Sequence, residues 1–274
     1  CNQILSLYNN LKNSSPPEAF ISAQNVRDRY SLVKQFTSGK GGAKVYWVKD
    51  LEVDRVIKIF PEEKFMKPFE SNNEAREIYF SCILAQEKFN IPDATFSTSD
   101  TSFFPRFYGY AYTDSDTPFD KSLPVTPGKK HLMMVMEYIK GKDMFVHSEE
   151  KDPNSPLFNK AQSQAILLQI FIALDQAFKS SGFIHRDLHP GNIVITSDKT
   201  VKFKKGTSAY VIAPMIKIID FGLATGNYFY ASDGLNLSKA ASLSLSPSRN
   251  YSLVLLNFST NMRSSLLSSA GFIS

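Results

Sequence analysis

Ser181-Gly-Phe-Ile-His-Arg-Asp-Leu-His-Pro-Gly-Asn-Ile-Val-Ile-Thr196 is the stretch on which the reading of this chain turns. An apolar run ends in a dense cluster of charged and turn-forming residues and then resumes. The two short hydrophobic segments bury and fix both ends of a loop, so the carboxylate of Asp187 is presented without a helix to carry it. Asp, Pro, Gly and Asn also make ordinary surface turns, and an isolated His-Arg-Asp triplet would read that way. The spacing decides otherwise: Asn192 follows Asp187 by five positions, and Asp220-Phe-Gly222 follows a second apolar run, Met215 to Ile219.

Working outward, residues 158–180 carry apolar residues, among them Ala165, Ile166, Leu168, Ile170, Phe171, Leu174 and Phe178, at helical spacing over a broad face, which predicts a core helix supporting the loop. Between Asn192 and Asp220, Val201 to Phe203 and Ala209 to Ile212 predict an inserted hairpin near 197–213. Upstream, His131 to Phe145 reads as a buried strand running into a charged, glycine-containing segment, and Pro105 to Thr113 as another strand. Thr95 to Ser102 reads as a loop, and 114–130 as an exposed one. Nearer the start come strands Tyr30 to Phe36, Val45 to Val48 and Arg55 to Phe60. Gly39, Gly41 and Gly42 between the first two let backbone amides approach a phosphate closely. Lys58 sits inside a β-branched run, and a lysine buried there needs a carboxylate partner. A helix is predicted from about Phe69 to Lys88; Glu74 and Glu77 share one of its faces.

The pattern H-R-D-x-x-x-x-N followed by D-F-G after a strand resembles the catalytic core of the protein-kinase-like superfamily, and the resemblance covers roughly residues 30–225. It implies an α+β, bilobal fold: a β-rich N-lobe with one main helix over 30–136, and a mostly helical, reduced C-lobe over 137–274, behind an N-terminal extension of residues 1–29. It implies ATP and Mg2+ as cofactors. Asp187 would be the catalytic base, flanked by Arg186 and His189, with Asn192 and Asp220 as metal ligands. Lys58 would contact the phosphates and pair with a glutamate, Glu74 being favoured over Glu77. Gly39, Gly41, Gly42 and Val45 would cover the nucleotide. In the hinge, Met136 would be the gatekeeper, the Glu137 carbonyl and Ile139 amide would meet adenine with no need of the Glu137 side chain, and Asp143 would reach the ribose.

Two departures set the branch. His189-Pro-Gly191 replaces the lysine usual two residues after the catalytic aspartate, which is similar to haspin-like and some viral atypical serine/threonine kinases. It is also similar to small-molecule phosphotransferases of the aminoglycoside, choline-kinase and ABC1-like types. No Ala-Pro-Glu follows Gly222, and residues 231–274 are serine-rich with one apolar run, Tyr251 to Phe258. That implies a partner that stabilises or activates the reduced C-lobe, or a nucleotide-binding pseudokinase acting as an interaction module. The acceptors implied first are hydroxyls of protein substrates.

Composition sets the outer bounds. With 43% hydrophobic residues over 274, the chain is not disordered throughout. Its net charge of +5 is spread along the chain rather than clustered, so no nucleic-acid partner is expected. Cys1 and Cys82 lack metal-site spacing and suggest no disulfide, which points to a reducing compartment, cytoplasmic or nuclear. No apolar run reaches the roughly 18 residues of a membrane span. Because the chain opens on Cys1 rather than methionine, an upstream segment is expected, which keeps a secreted effector open.

Overall fold

The structure, a computed structural model, describes residues 20–36, 42–61, 73–87, 94–122, 130–150, 154–205 and 209–226. In chain order these form α1 (Ala23–Arg29), β1 (Tyr30–Phe36), β2 (Lys44–Asp50), β3 (Val53–Phe60), α2 (Asn73–Leu84), β4 (Ala94–Phe96) and β5 (Phe107–Thr113). There follow β6 (His131–Glu137), β7 (Gly141–Asp143), α3 (Met144–Glu149), α4 (Lys160–Ser181), a 3-10 turn (Pro190–Asn192), β8 (Ile193–Lys205) and β9 (Ala209–Ile218). They divide into two units, one drawn from residues 1–86 and 105–138, the other from 87–104 and 139–274. This division differs from the expected boundary at 136/137 in two respects: residues 87–104 join the second unit, and the first unit runs on to residue 138.

The first unit is an antiparallel sheet in the order β1-β2-β3-β6-β5. Its strands alternate, so each face carries its own set of side chains. One face buries Tyr46, Val48, Ile57, Ile59, Met133 and Val135 together with Val26 of α1. The other packs Phe60, Leu132 and Met134 against Ile78 of α2. Full burial of side chains such as Ile57 and Ile59 is worth about 1.5–3 kcal/mol each. An exposed ion pair such as Arg29–Asp50 adds about 0–1 kcal/mol, so the two apolar faces hold this unit together.

Residues 20–29 belong to this unit rather than to an extension. Ser22 caps α1 by accepting from the Asn25 amide, Val26 is fully buried, and the Ile21 amide donates to the Tyr112 carbonyl at 2.8 Å. The described part of the 114–130 loop is likewise not simply exposed. Asp114 Oδ1 accepts from the Ala23 amide at 2.7 Å, the Pro118 carbonyl accepts from Arg27 at 2.7 Å, and the Phe119 ring packs on Tyr46. Cys82 on α2 is disulfide-bonded, which corrects the expectation that the cysteines suggest no disulfide and withdraws its support for a reducing compartment. Separation along the chain is no bar to a disulfide, since only the distance in space matters.

The second unit holds a sheet centred on β8, which pairs with β4, β7 and β9, so its described part is as much strand as helix. The stretch read as a loop at 95–102 begins as β4, in register Ala94↔Phe203 and Phe96↔Val201. Such a pairing across a hundred residues leaves no local pattern. The hairpin consists of the outer halves of β8 and β9, paired from Thr200↔Pro214 to Lys205↔Ala209. Gly141 pairs with Thr196 where β7 meets β8, and a Cβ there would run into the Ile195 carbonyl.

Helix α4 starts at the cap Asn159, whose Oδ1 accepts from the Ala161 and Gln162 amides, and stops at Gly182 in the left-handed conformation, φ 65°. Its buried stripe is Ala165, Ile166, Gln169, Ile170, Ala173 and Ala177, whereas Leu168 and Phe171, expected in the core, are 45% and 40% exposed. Small residues on the stripe let β9 approach closely. Gln169, fully buried, serves the free edge of β9: it donates to the Pro214 carbonyl at 2.9 Å and accepts from the Ile216 amide at 3.1 Å. No helix among the described residues is long and apolar enough to cross a membrane.

Replacing Gln169 by Leu strands both of those backbone groups, at about 1–3 kcal/mol each. The expected result is a clearly lower urea midpoint with an unchanged denaturant slope; a midpoint within error of wild type would show that the edge is not held by this amide.

Candidate functional site

Gly182 turns the chain out of α4 and into the loop the sequence singled out. Ile184 forms a two-bond antiparallel bridge with Thr225, at 2.8 and 2.9 Å. His185, 3% exposed, sets Nε2 at 3.0 Å from the Ile219 carbonyl. A carbonyl only accepts, so the proton is on Nε2; Nδ1 is buried and finds no hydrogen-bond partner among the described residues. The imidazole ring lies edge-on to Phe183 and Phe221, with centroids 6.0 and 5.8 Å away. At the other end of the loop Asn192 donates from Nδ2 to the Asp187 carbonyl at 3.0 Å, and its own carbonyl accepts from the Ile219 amide at 3.0 Å. The structure thus brings His185, Asp187 and Asn192 together with the segment leading into Asp220.

Asp187 and Asp220 are exposed at the ends of this framework. Arg186 and Asp220 adopt left-handed backbone angles, φ 65° and 64°. For residues with a Cβ that conformation costs on the order of 1–3 kcal/mol and persists only where the surroundings impose it. His189 is the cap of the 3-10 turn: its Nδ1 accepts from the Gly191 amide at 3.1 Å, which fixes the ring locally.

In the first unit Lys58 is a cross-strand neighbour of Val45 and Met134. Its ammonium lies 2.6 and 2.7 Å from the two carboxylate oxygens of Glu77. The pairing favoured from the sequence, with Glu74, is corrected: both glutamates are buried on α2, but it is Glu77 that reaches Lys58. One rung along on the same face stand Trp47, Val56 and Met136, all half-buried. The Trp47 indole stacks on Tyr138 at 4.4 Å and 10° and donates to Asp54 Oδ1 at 2.8 Å. The face therefore has a sealed end under α2, a paired ammonium in the middle, and an apolar, aromatic shelf at its other end.

Among the remaining expected residues, Gly39 and Gly41 lie outside the described residues, as do the run at 4–11 and residues 231–274. Gly42 precedes β2 with φ 74°. The Glu137 side chain, read as dispensable, accepts from the Arg106 amide at 3.0 Å, while the Glu137 amide donates to the Arg106 carbonyl at 2.9 Å. Ile139 is half-buried at the start of the second unit. Asp143 caps α3, its Oδ1 accepting from the Val146 amide at 2.8 Å. Trp47 and Tyr138 were missed, although strand alternation puts Trp47 on the face of Val45.

Residues 111–230 match the protein kinase domain family. Curated relatives similar to the chain include mouse sperm motility kinase 2B, 30% identical over 103 residues, which are 38% of this chain and 17% of that protein. Mouse ribosomal protein S6 kinase alpha-4 is 31% identical over 94 residues, 34% of this chain and 10% of that protein. A serine/threonine-protein kinase of Caenorhabditis elegans is 32% identical over 96 residues, 34% of this chain and 8% of that protein. The chain thus aligns with less than a fifth of the length of each of these relatives. The similarity to these kinases is distant and partial. Lys58 and Glu77 fall outside the family match.

Burial holds the His185 imidazole below the usual histidine value of 6.5, outweighing the hydrogen bond to Ile219 and the nearby carboxylates. A depressed folded value means the unfolded chain binds the proton first. The stability from neutral His185 is thus fully present above about pH 6.5 and is lost as pH falls below it. His185→Phe, which keeps a ring against Phe183 and Phe221, is expected to flatten the fall in melting temperature between about pH 7 and pH 5. Parallel pH profiles for the two proteins would refute the linkage.

Proposed function

We propose that this chain transfers the γ-phosphoryl group of ATP to serine or threonine hydroxyls of proteins, in the manner of an atypical kinase. The observation that carries the reading is the face of the first unit's sheet, where the Lys58–Glu77 pair stands beside Val45 and one rung from the shelf of Trp47, Val56 and Met136. An apolar shelf beside a fixed ammonium suits a flat heteroaromatic ring with an anionic tail. The homology of residues 111–230 supports the same class of reaction.

In this reading Lys58 meets the phosphates, held extended by Glu77, and Gly42 precedes the strand that carries Val45 and Trp47. Asp187 orients the acceptor hydroxyl and takes its proton as the oxygen attacks the γ phosphorus and the bond to the ADP oxygen breaks. The donor set suits magnesium. Asp220 offers a carboxylate, and Asn192, whose Nδ2 is committed to the Asp187 carbonyl, offers Oδ1; a small hard cation takes one or two such oxygens and fills its shell with phosphate and water. When bound, the ion neutralises charge on the phosphates. His189-Pro-Gly191, a locally fixed turn, takes the sequence position of the usual phosphate-binding lysine, a form shared by atypical kinases and small-molecule phosphotransferases.

Trp47 is the sole tryptophan, so nucleotide binding on this shelf is expected to change its emission. Titration with ATP and magnesium should quench it saturably, and Lys58→Met should weaken the apparent affinity about tenfold or more. Flat emission in wild type, with no phosphate transferred, would end the reading.

Asp187→Asn is expected to leave that titration in place and slow transfer by about 10²–10⁴-fold. Mass spectrometry of the products identifies the acceptor; phosphate on an aminoglycoside or choline, and none on protein hydroxyls, would replace the protein-kinase assignment.

A further inference from the structure

Lys217 is a fully buried lysine three residues before Asp220. Its ammonium donates to Asp100 Oδ2 at 3.0 Å and to the Phe104 carbonyl at 3.1 Å. Asp100 is itself set by its surroundings: Lys199 donates to the same Oδ2 at 2.8 Å, and Oδ1 accepts from the Ser102 amide at 3.2 Å. Burial alone would raise the Asp100 carboxyl, but the Lys217 charge and the hydrogen bonds from both lysines hold it down at about 2, so this carboxylate stays ionised at neutral pH.

The segment carrying Asp100 touches the strand into Asp220 at successive points. Beyond the Lys217 contacts, the Ile218 amide donates to the Phe103 carbonyl at 2.9 Å, and the Phe104 ring meets Phe221 edge-on at 5.9 Å. Residues 217, 218 and 221 are thus all gripped by residues 100–104, and Asp220, inside that span, has a left-handed backbone that its neighbours must impose.

We infer that Asp100 and Lys217 are positioning residues for Asp220: a buried charged brace, built on a segment that enters this unit from elsewhere in the chain, that holds the carboxylate in its metal-binding orientation. The inference rests on the phosphoryl-transfer reading for what Asp220 binds, but not for what the brace does to the backbone. A buried ion pair is a costly way to join two strands, and apolar residues would join them at least as well. What the charges add is direction, since an ammonium aimed at one carboxylate oxygen and one carbonyl sets the register of residue 217 and so of residue 220.

The full chain carrying Lys217→Met or Asp100→Asn tests it, with Lys199→Met, which removes the other charge on the same oxygen, as the comparison. Two readouts are taken beside thermal melting: hydrogen exchange of the peptide containing the Ile218 and Ile219 amides, and binding of manganese(II) in the presence of ADP. The brace predicts faster exchange in Lys217→Met and Asp100→Asn, and about 10- to 100-fold weaker manganese binding, the loss typical of removing a group behind a metal ligand. Lys199→Met should leave both near wild type, and Lys217→Arg should recover part of the manganese affinity. Where Lys217→Met melts too low to assay, Asp100→Asn carries the test. Equal shifts in all three charge-removing variants would reduce the cluster to a structural clamp, and unchanged exchange with unchanged manganese binding would remove the brace. A wild-type chain that binds no manganese with ADP sinks the phosphoryl-transfer reading instead, and the exchange comparison alone then decides the brace.

Discussion

The peptide group of Ile219 is held at both ends. Its amide donates to the Asn192 carbonyl and its carbonyl accepts from His185 Nε2, each at 3.0 Å. These two bonds tie the loop that presents Asp187 to the strand that presents Asp220, and neither side chain of interest spends its own polar atoms in making them. Both carboxylates are left exposed on a backbone that cannot drift. The bonds are well shielded, since His185 and Asn192 are buried and the rings of Phe183 and Phe221 enclose the imidazole. In a low-dielectric surrounding such bonds are stronger, and losing a partner is more costly, than at the surface.

Two lysine–carboxylate pairs illustrate how burial separates roles for the same chemistry. Lys58 retains 17% side-chain exposure, and its partner Glu77 comes from a helix, so the ammonium is paired yet reachable by an anion. Lys217 has none, and its ammonium is shared between a carboxylate and a backbone carbonyl. An ion pair sealed from solvent contributes little net stability because desolvation cancels most of the attraction. Its effect lies in restricting geometry, and here the restricted element is the strand that leads to Asp220.

Much of the second unit's loop was legible because its chemistry is local. His185, Asp187 and Asn192 lie within eight residues, and Asp220-Phe-Gly222 follows a mostly apolar run, Met215 to Ile219, that reads as a strand. The strand pattern around Lys58 was equally plain, since β-branched residues on either side of a lysine put it in a sheet. The choice between Glu74 and Glu77 was not legible: three residues apart on a helix, they share a face, and which reaches Lys58 depends on how α2 is rotated against the sheet. Residues 87–104 were misplaced for a related reason. Nothing near Asp100 in the chain shows that its partners are Lys199 and Lys217, and β4 is too short for alternation to reveal a strand.

By itself the amino-acid sequence determined the residue types and intervals on which the proposed phosphoryl transfer rests, and the strands and helix that carry them, because spacing and hydrophobic period are properties of short segments. The tertiary structure alone decided which glutamate serves Lys58, that Trp47 lies on the shelf beside it, that the Glu137 side chain is engaged, and that a distant segment clasps the approach to Asp220. Those outcomes depend on hydrogen bonds and packing between residues far apart in the chain, whose energies appear only once the backbone has brought them within reach.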